Sequence, residues 1–201
     1  MGVYLDNRLS WSTHINFVYD KLIKFTGIFY KLRSCMHADT LRMLYYAFVY
    51  PHILYGVELY ANTHTSYLSK LNTLNDKILR ILQNVNRKPS TMCLYQKFNV
   101  LPIHKLHQFQ LLCIVHKYVY HRTHLPVIFR HYFTAKSFIH HHNSRSKNNL
   151  HVSCVRSEYG RRMLAFRASQ LWNRLPQCLK NIVSITVFKK ELRRLLFHND
   201  M

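Results

Sequence analysis

Ser12-Thr13-His14-Ile15-Asn16-Phe17-Val18-Tyr19-Asp20-Lys21-Leu22-Ile23-Lys24-Phe25, running on through Phe29 to Leu32, sets the fold class. Ile15, Val18, Leu22, Phe25, Phe29 and Leu32 recur at steps of three and four, the spacing of one face of an amphipathic helix. Ser12 and Thr13 stand at its head, and both are N-cap residue types. At about 100° per residue, Lys21, Lys24 and Lys31 fall roughly 120° from the apolar face. Asp20, four residues before Lys24, predicts a surface ion pair.

Further along, Ser66 to Val85 repeats the design. Leu71, Leu74, Ile78, Ile81 and Val85 form an apolar line, while Lys70, Lys77 and Arg80 form a basic one, extended by Arg87 and Lys88 if the helix continues to the Asn86–Pro89 run. Between the two helices, Asp39 or Thr40 is placed to cap another, which Pro51 interrupts before a second piece runs towards Tyr60. From Leu101 to Val119 the chain is apolar nearly all round, the pattern of a buried central helix. Ile128 to Phe133 suggests a further short turn of helix. Upstream, Val3 and Leu5 alternate with Tyr4 and Asp6 as a short strand would, ahead of an Asp6-Asn7 turn.

Composition changes at Thr134. From there to Leu150 the chain is mostly Ser, His, Asn, Lys and Arg, which reads as a linker or loop. Beyond it, 151–155 and 163–166 could pair as a hairpin around Glu158-Tyr159-Gly160, although the second could equally open a helix. A helix from Ala168 stops at Pro176. Ser184 is placed to cap a last one, with Ile185, Phe188, Leu192 and Leu195 inward and Lys189, Lys190, Arg193 and Arg194 opposite. The expected architecture is mainly α: a helical bundle with a short N-terminal strand remnant and a smaller basic C-terminal part that has room for one β-hairpin. Its segments are 1–12 (strand and turn), 13–133 (helical domain), 134–150 (polar linker) and 151–201 (basic C-terminal segment).

At 201 residues the chain can hold one domain with a real core or two small ones. It carries 29 Lys and Arg against 8 Asp and Glu, a formal charge of +21. No acidic residue lies between Asp76 and Glu158. Such one-signed bias repels itself unless a polyanion neutralises it. Nucleic acid is the first such partner and an anionic membrane surface the second. Met43 to Tyr60 has about the length of a membrane span, but Pro51, His52 and Glu58 argue against one. The cysteines are five, odd in number and widely spaced, so no disulfide framework is expected and an intracellular, reducing compartment fits. Cys35, Cys93 and Cys113 lie in or beside apolar helical runs, as buried thiols do.

Three segments carry a family resemblance. Gly2-Val3-Tyr4-Leu5-Asp6, Leu9, Trp11 and His14-Ile15 are similar to a Leu-Gly-Val-x-Leu-Asp-x-x-Leu-x-Trp-x-x-His-Ile stretch, with Met1 at its first position; Leu44-Tyr45-Tyr46-Ala47-Phe48-Val49-Tyr50-Pro51-His52-Ile53-Leu54-Tyr55-Gly56 looks like an aromatic helix that meets a proline and then Leu-x-Tyr-Gly; Leu171-Trp172-Asn173-Arg174-Leu175-Pro176, followed by Phe188 and a basic helix, is similar to a Leu-Trp-Asn-x-Leu-Pro signature. In this order they resemble the reverse transcriptases of non-LTR retrotransposons, the jockey- and CR1-like LINE elements, from the end of the palm through the thumb to the C-terminal signature. The resemblance implies a thumb-like helical domain that grips RNA template and RNA–DNA duplex, with the family's palm and fingers as protein partners and neither a membrane nor a small-molecule substrate. The family's Tyr-Ala-Asp-Asp loop, which holds catalytic magnesium, lies upstream of these segments, so no catalytic residue and no cofactor is expected on this chain. A decayed element copy, or a cationic membrane-surface protein, is the alternative.

The expected nucleic-acid contacts are Lys21, Lys24, Lys31, Lys70, Lys77, Arg80, Lys189, Lys190, Arg193 and Arg194. The last four also resemble half of a nuclear localisation signal. Asp6, Asp20, Asp39, Glu58 and Asp76 are too scattered for the paired carboxylates that two-metal phosphoryl transfer requires. His140-His141-His142 lacks the second ligand pair of a structural zinc site, and no serine or cysteine sits in a nucleophile motif. Tyr19 and Tyr67 are the best-placed rings for base stacking. Phe25, Phe29, Tyr46 and Phe48 read as core, Trp172 as a packing anchor, and Asn173 as bonded to a nearby turn.

Overall fold

The computed structural model describes residues 2–85, 90–129, 131–139 and 149–198. The described residues are mainly helical with no sheet. They form two compact units, 1–106 and 107–201. The division falls in the first turn of the helix that opens at Ile103, well before the expected boundary at 133.

Unit 1 contains α1 (Ser12–Leu32), α2 (Ala38–Phe48), α3 (Tyr50–Leu54), α4 (Val57–Tyr60), α5 (Thr65–Leu82) and α6 (Thr91–Phe98). Its principal packing is α1 against α5. Ile15, Val18, Leu22 and Phe29 are buried on α1, as are Leu68, Leu71, Leu74, Ile78, Leu79 and Leu82 on α5. The expected α5 line thus holds at Leu71, Leu74 and Ile78 but turns to Leu79 and Leu82, leaving Ile81 half-buried. The helix ends at Leu82, where Asn84 takes a left-handed φ of 49°. An Asn in that conformation stops a helix with little steric penalty, and Asn86–Pro89 lie outside the described residues.

Two expected caps are replaced. Trp11, with φ 62°, occupies the N-cap position of α1, and its carbonyl accepts from the Ile15 N–H; neither Ser12 nor Thr13 caps. His37 precedes α2 without a side-chain cap bond, and Asp39 lies inside the first turn. There a carboxylate complements the positive end of the helix. Pro51 does divide the second helical region: α3 carries it in its first turn, where a missing N–H costs nothing. Gly56 then turns the chain at φ 71° into α4, and a Cβ there would meet Val3 Cγ2 at 3.2 Å. Val3 and Leu5 pair with no strand among the described residues. A lone segment has no ladder to join, so the expected strand remnant forms no strand.

Unit 2 contains most of α7 (Ile103–Tyr120), then α8 (Glu158–Arg162), α9 (Leu164–Arg174), α10 (Gln177–Lys180) and α11 (Ile185–His198). From Phe109 onward α7 buries Leu111, Leu112, Cys113, Val115 and Tyr118, as its all-round apolarity predicts. Three short 3₁₀ turns follow, at Arg122–His124, Val127–Phe129 and Lys136–Phe138. Of the two readings of 163–166, the hairpin does not form and the helix does. Ser157 instead accepts from the Gly160 N–H at 3.1 Å and caps α8, and α9 begins at Leu164. A serine ahead of a helical run favours this geometry over a strand turn.

The two feet of the polar 134–150 segment are tied together. Ala135 and Leu150 form an isolated antiparallel bridge, with Lys136 N–H donating to the Asn149 carbonyl at 2.9 Å and His151 N–H to that of Thr134 at 2.7 Å. Residues 140–148, with the triple histidine, lie outside the described residues. Of the cysteines only Cys113 is buried; Cys35, beyond the end of α1, and Cys93, on the outer side of the first turn of α6, are exposed, against expectation. Phe48 is also exposed, at the end of α2 where it covers the ring of Phe25 at 5.7 Å.

Candidate nucleic-acid interface

Six of the ten candidate cations belong to unit 1. Thr63 Oγ1 donates to the Ser10 carbonyl at 2.7 Å, and Lys70 Nζ to Asn16 Oδ1 at 3.2 Å. The sequence offset is nearly the same at both points, so α1 and α5 run side by side in the same direction. Continued along the pair, that offset sets Lys77 level with Ile23 and Lys24.

Lys70 lies against the flank of α1 that carries Asn16 and Tyr19, its Nζ 4.1 Å from the Tyr19 ring centroid. On the helical wheel Lys21 stands roughly 170° round from that flank. Its Nζ is 4.3 Å from the Phe17 ring centroid, and its charge helps to hold the His52 pKa low, second to burial. Lys24 and Lys31 project between the two flanks, away from the core. The cations therefore spread over the outer surface of both helices instead of lining one groove between the stripes.

Lys24, Lys31, Lys70 and Lys77 are exposed, while Lys21 and Arg80 are half-buried, Arg80 with its Nε enclosed and unpartnered. None of the six meets a carboxylate among the described residues, and the expected Asp20–Lys24 pair is not formed. Asp6 and Asp76 are engaged elsewhere. Asp6 accepts from Ser10 N–H at 2.7 Å, Ser10 Oγ at 2.8 Å and Arg8 N–H at 3.1 Å, and the Ser10 bonds hold its pKa below the usual range. It closes the turn before α1. Asp76 accepts from the Tyr95 hydroxyl at 2.7 Å.

Tyr19 is half-buried beneath Lys70, whereas Tyr67 is exposed beside His64, their ring centroids 6.3 Å apart. Phe29 is in the core, with Phe25 stacked on it at 5.8 Å. Tyr46 is half-buried and donates to the carbonyls of Phe98 and Asn99 at 3.0 Å.

The other four cations lie on α11 in unit 2. Phe188, Leu192 and Leu196 face inward, so the buried line ends at Leu196 instead of Leu195. Lys189 and Lys190 are exposed and unpaired among the described residues. Arg194 bonds Glu191 Oε1 at 2.8 Å, and the Arg193 guanidinium lies 5.4 Å from the Phe109 ring centroid. Those two arginines are thus partly committed within the fold.

Trp172 is buried, its ring centroid 6.0 Å from that of Phe188. Asn173 clamps the main chain of Leu150: Oδ1 accepts from its N–H and Nδ2 donates to its carbonyl, both at 2.9 Å. The tryptophan is a packing anchor and the asparagine a tie to a loop, as read from the sequence.

Sequence reasoning missed three features. Tyr45 donates to Asn75 Oδ1 at 2.9 Å, Asn75 Nδ2 donates to the Tyr95 oxygen at 3.1 Å, and Tyr95 completes a buried chain to Asp76. Burial pushes both phenols far up, so they remain neutral donors. His14 is buried beside Tyr60 with neither ring nitrogen hydrogen-bonded, and burial lowers its pKa. A cavity of about 300 Å³ in unit 2 is lined in part by Arg122 and Lys180. The one available signal was a polar residue on an otherwise apolar helical face, which marks Asn75 and His14 but says nothing of a cavity.

Among the described residues, no group of three or more His, Cys, Asp or Glu could hold a metal ion. No described helix is long and apolar enough to cross a membrane. No family model, curated protein or solved structure matches the chain.

Proposed function

We propose that this chain is the thumb and C-terminal segment of a non-LTR retrotransposon reverse transcriptase. By itself it is non-catalytic, and it binds RNA template and RNA–DNA duplex through its basic helix faces. The order of the three sequence segments suggests the family. The physical observation that carries the binding reading is the set of six cations on α1 and α5 without carboxylate partners among the described residues. Exposed lysines of this kind contact phosphates, which position a duplex without reading its sequence. Binding on this reading tolerates any sequence and weakens steeply with salt.

The test is binding to a labelled RNA–DNA primer–template across a salt series, with the triple charge reversal Lys21→Glu, Lys24→Glu and Lys31→Glu. The log–log slope falls by roughly one for each phosphate that the variant no longer neutralises. An unchanged slope and affinity means generic polycation behaviour and removes the assignment of these residues. Equal binding to anionic vesicles, with none to the primer–template, replaces the reading by the membrane-surface one.

A further inference from the structure

Unit 2 holds a cavity of about 300 Å³, open to solvent on one side, between the end of α7, the helices α9 and α10, and the tied feet of the 134–150 segment. That volume lies at the small end of ligand sites. Two cations belong to its wall. Lys180 is only 9% exposed, yet its ammonium donates to two neutral oxygens, Asn149 Oδ1 at 3.2 Å and the Asn173 carbonyl at 3.0 Å. Arg122 is fixed from behind: its Nε donates to the Tyr118 carbonyl at 3.0 Å, and its guanidinium lies 4.2 Å from the Tyr118 ring centroid. Its terminal nitrogens make no bond to a described residue. Neither cation pairs with a carboxylate among the described residues.

A buried ammonium is stable when an opposite charge compensates its lost hydration. Here the fold supplies neutral oxygens only, and burial depresses the Lys180 pKa accordingly. An anion in the cavity would supply the missing charge. Two fixed cations suit a doubly charged oxyanion better than a carboxylate, and an anchored guanidinium presents paired N–H groups to such oxygens. Ser137, Gln177 and Asn181 add neutral hydrogen-bonding groups to the lining.

We propose that this cavity is a binding site for a phosphate monoester, held between the Lys180 ammonium and the Arg122 guanidinium. The monoester can be a free mononucleotide or the 5′-phosphate end of a strand. The site is independent of the duplex-binding faces on α1 and α5 and stands whether or not those faces bind nucleic acid.

Isothermal titration of the full chain at constant ionic strength tests it, with four probes: inorganic phosphate, a nucleoside 5′-monophosphate, and one trinucleotide in 5′-phosphorylated and 5′-hydroxyl forms. One phosphate-dependent site is expected. Arg122→Gln, which removes an exposed charge, weakens it at least tenfold with an unchanged circular dichroism spectrum, while the Lys21, Lys24 and Lys31 reversal leaves it unchanged. Lys180→Met abolishes it, with circular dichroism to report whether that variant folds. Binding of the mononucleotide but not of the phosphorylated trinucleotide identifies a free ligand; preference for the phosphorylated trinucleotide over its hydroxyl twin identifies a strand end. No saturable binding, equal binding of the two trinucleotides without any mononucleotide site, or full affinity in Arg122→Gln overturns the proposal.

Discussion

The two units handle their buried polar groups differently. At the centre of unit 1, side chains satisfy one another in the Tyr45–Asn75–Tyr95–Asp76 chain that links α2, α5 and α6. In unit 2 they reach mainly for the backbone. His116 Nε2 bonds the Ile182 carbonyl at 2.7 Å, Tyr118 donates to that of Phe133 at 2.6 Å, Tyr120 to that of Lys180, and Asn173 holds Leu150. Unit 1 is built of closely spaced helices whose main chains draw on side chains chiefly at helix ends and turns, as Tyr46 does at Phe98 and Asn99 and Thr63 at Ser10. Between α7 and α8, the described residues of unit 2 form short 3₁₀ turns and loops, and the carbonyls of irregular segments need partners from elsewhere. Regular structure leaves side chains free to specify helix pairing; irregular structure recruits them as main-chain partners.

The sharpest test of this contrast is Trp172→Ala. It removes the largest side chain of the unit 2 core and is expected to cost about 4 kcal/mol, with native-state hydrogen exchange showing the loss in α9 and α11 before α1 and α5. Uniform loss across both units would mean that they unfold as one. Asn75→Ala comes next, at about 3 kcal/mol, because it leaves the Tyr45 and Tyr95 hydroxyls short of a buried partner; denaturant titration measures it. Asn173→Ala is expected to cost about 2 kcal/mol, and the double mutant with Asn75→Ala should be additive if the two networks are separate.

The smallest effect is a pH dependence. Burial holds His14 in unit 1 and His116 in unit 2 below the ordinary value of 6.5. Both stay neutral in the fold while the unfolded chain binds protons, so their contribution is complete above pH 6.5 and is lost as the pH falls from there through the folded values. His14→Phe should flatten the acid side of the stability profile for unit 1 alone. A profile that stays as steep would assign the dependence to another group.

Much of the helical layout could be read directly. The three-and-four spacing of Ile15, Val18, Leu22 and Phe29 marked α1, the all-round apolarity after Leu101 marked α7, and Pro51 marked a helix break, because each reflects a local constraint on the chain. Caps and ends were harder: Trp11 displaced Ser12 and Thr13, and Asn84 ended α5, since single left-handed residues leave little trace in periodicity. Of the two readings open for 151–166, the helix opening at Leu164 formed and the hairpin did not, because Ser157 offered its oxygen to a helical N–H.

The charge, the helical class and the solvent side of the basic stripes were all set by the linear chain, because composition and periodicity are properties of the chain alone. Packing in three dimensions was needed to run α1 and α5 parallel, to put Lys21 and Lys70 on opposite flanks of α1, and to close the buried chain through Asn75. It also brought Lys180 and Arg122, 58 positions apart in the chain, beside one cavity. Such pairings join residues far apart in sequence, and no local pattern encodes which distant side chain will complete a hydrogen bond or leave a charge without its counter-ion.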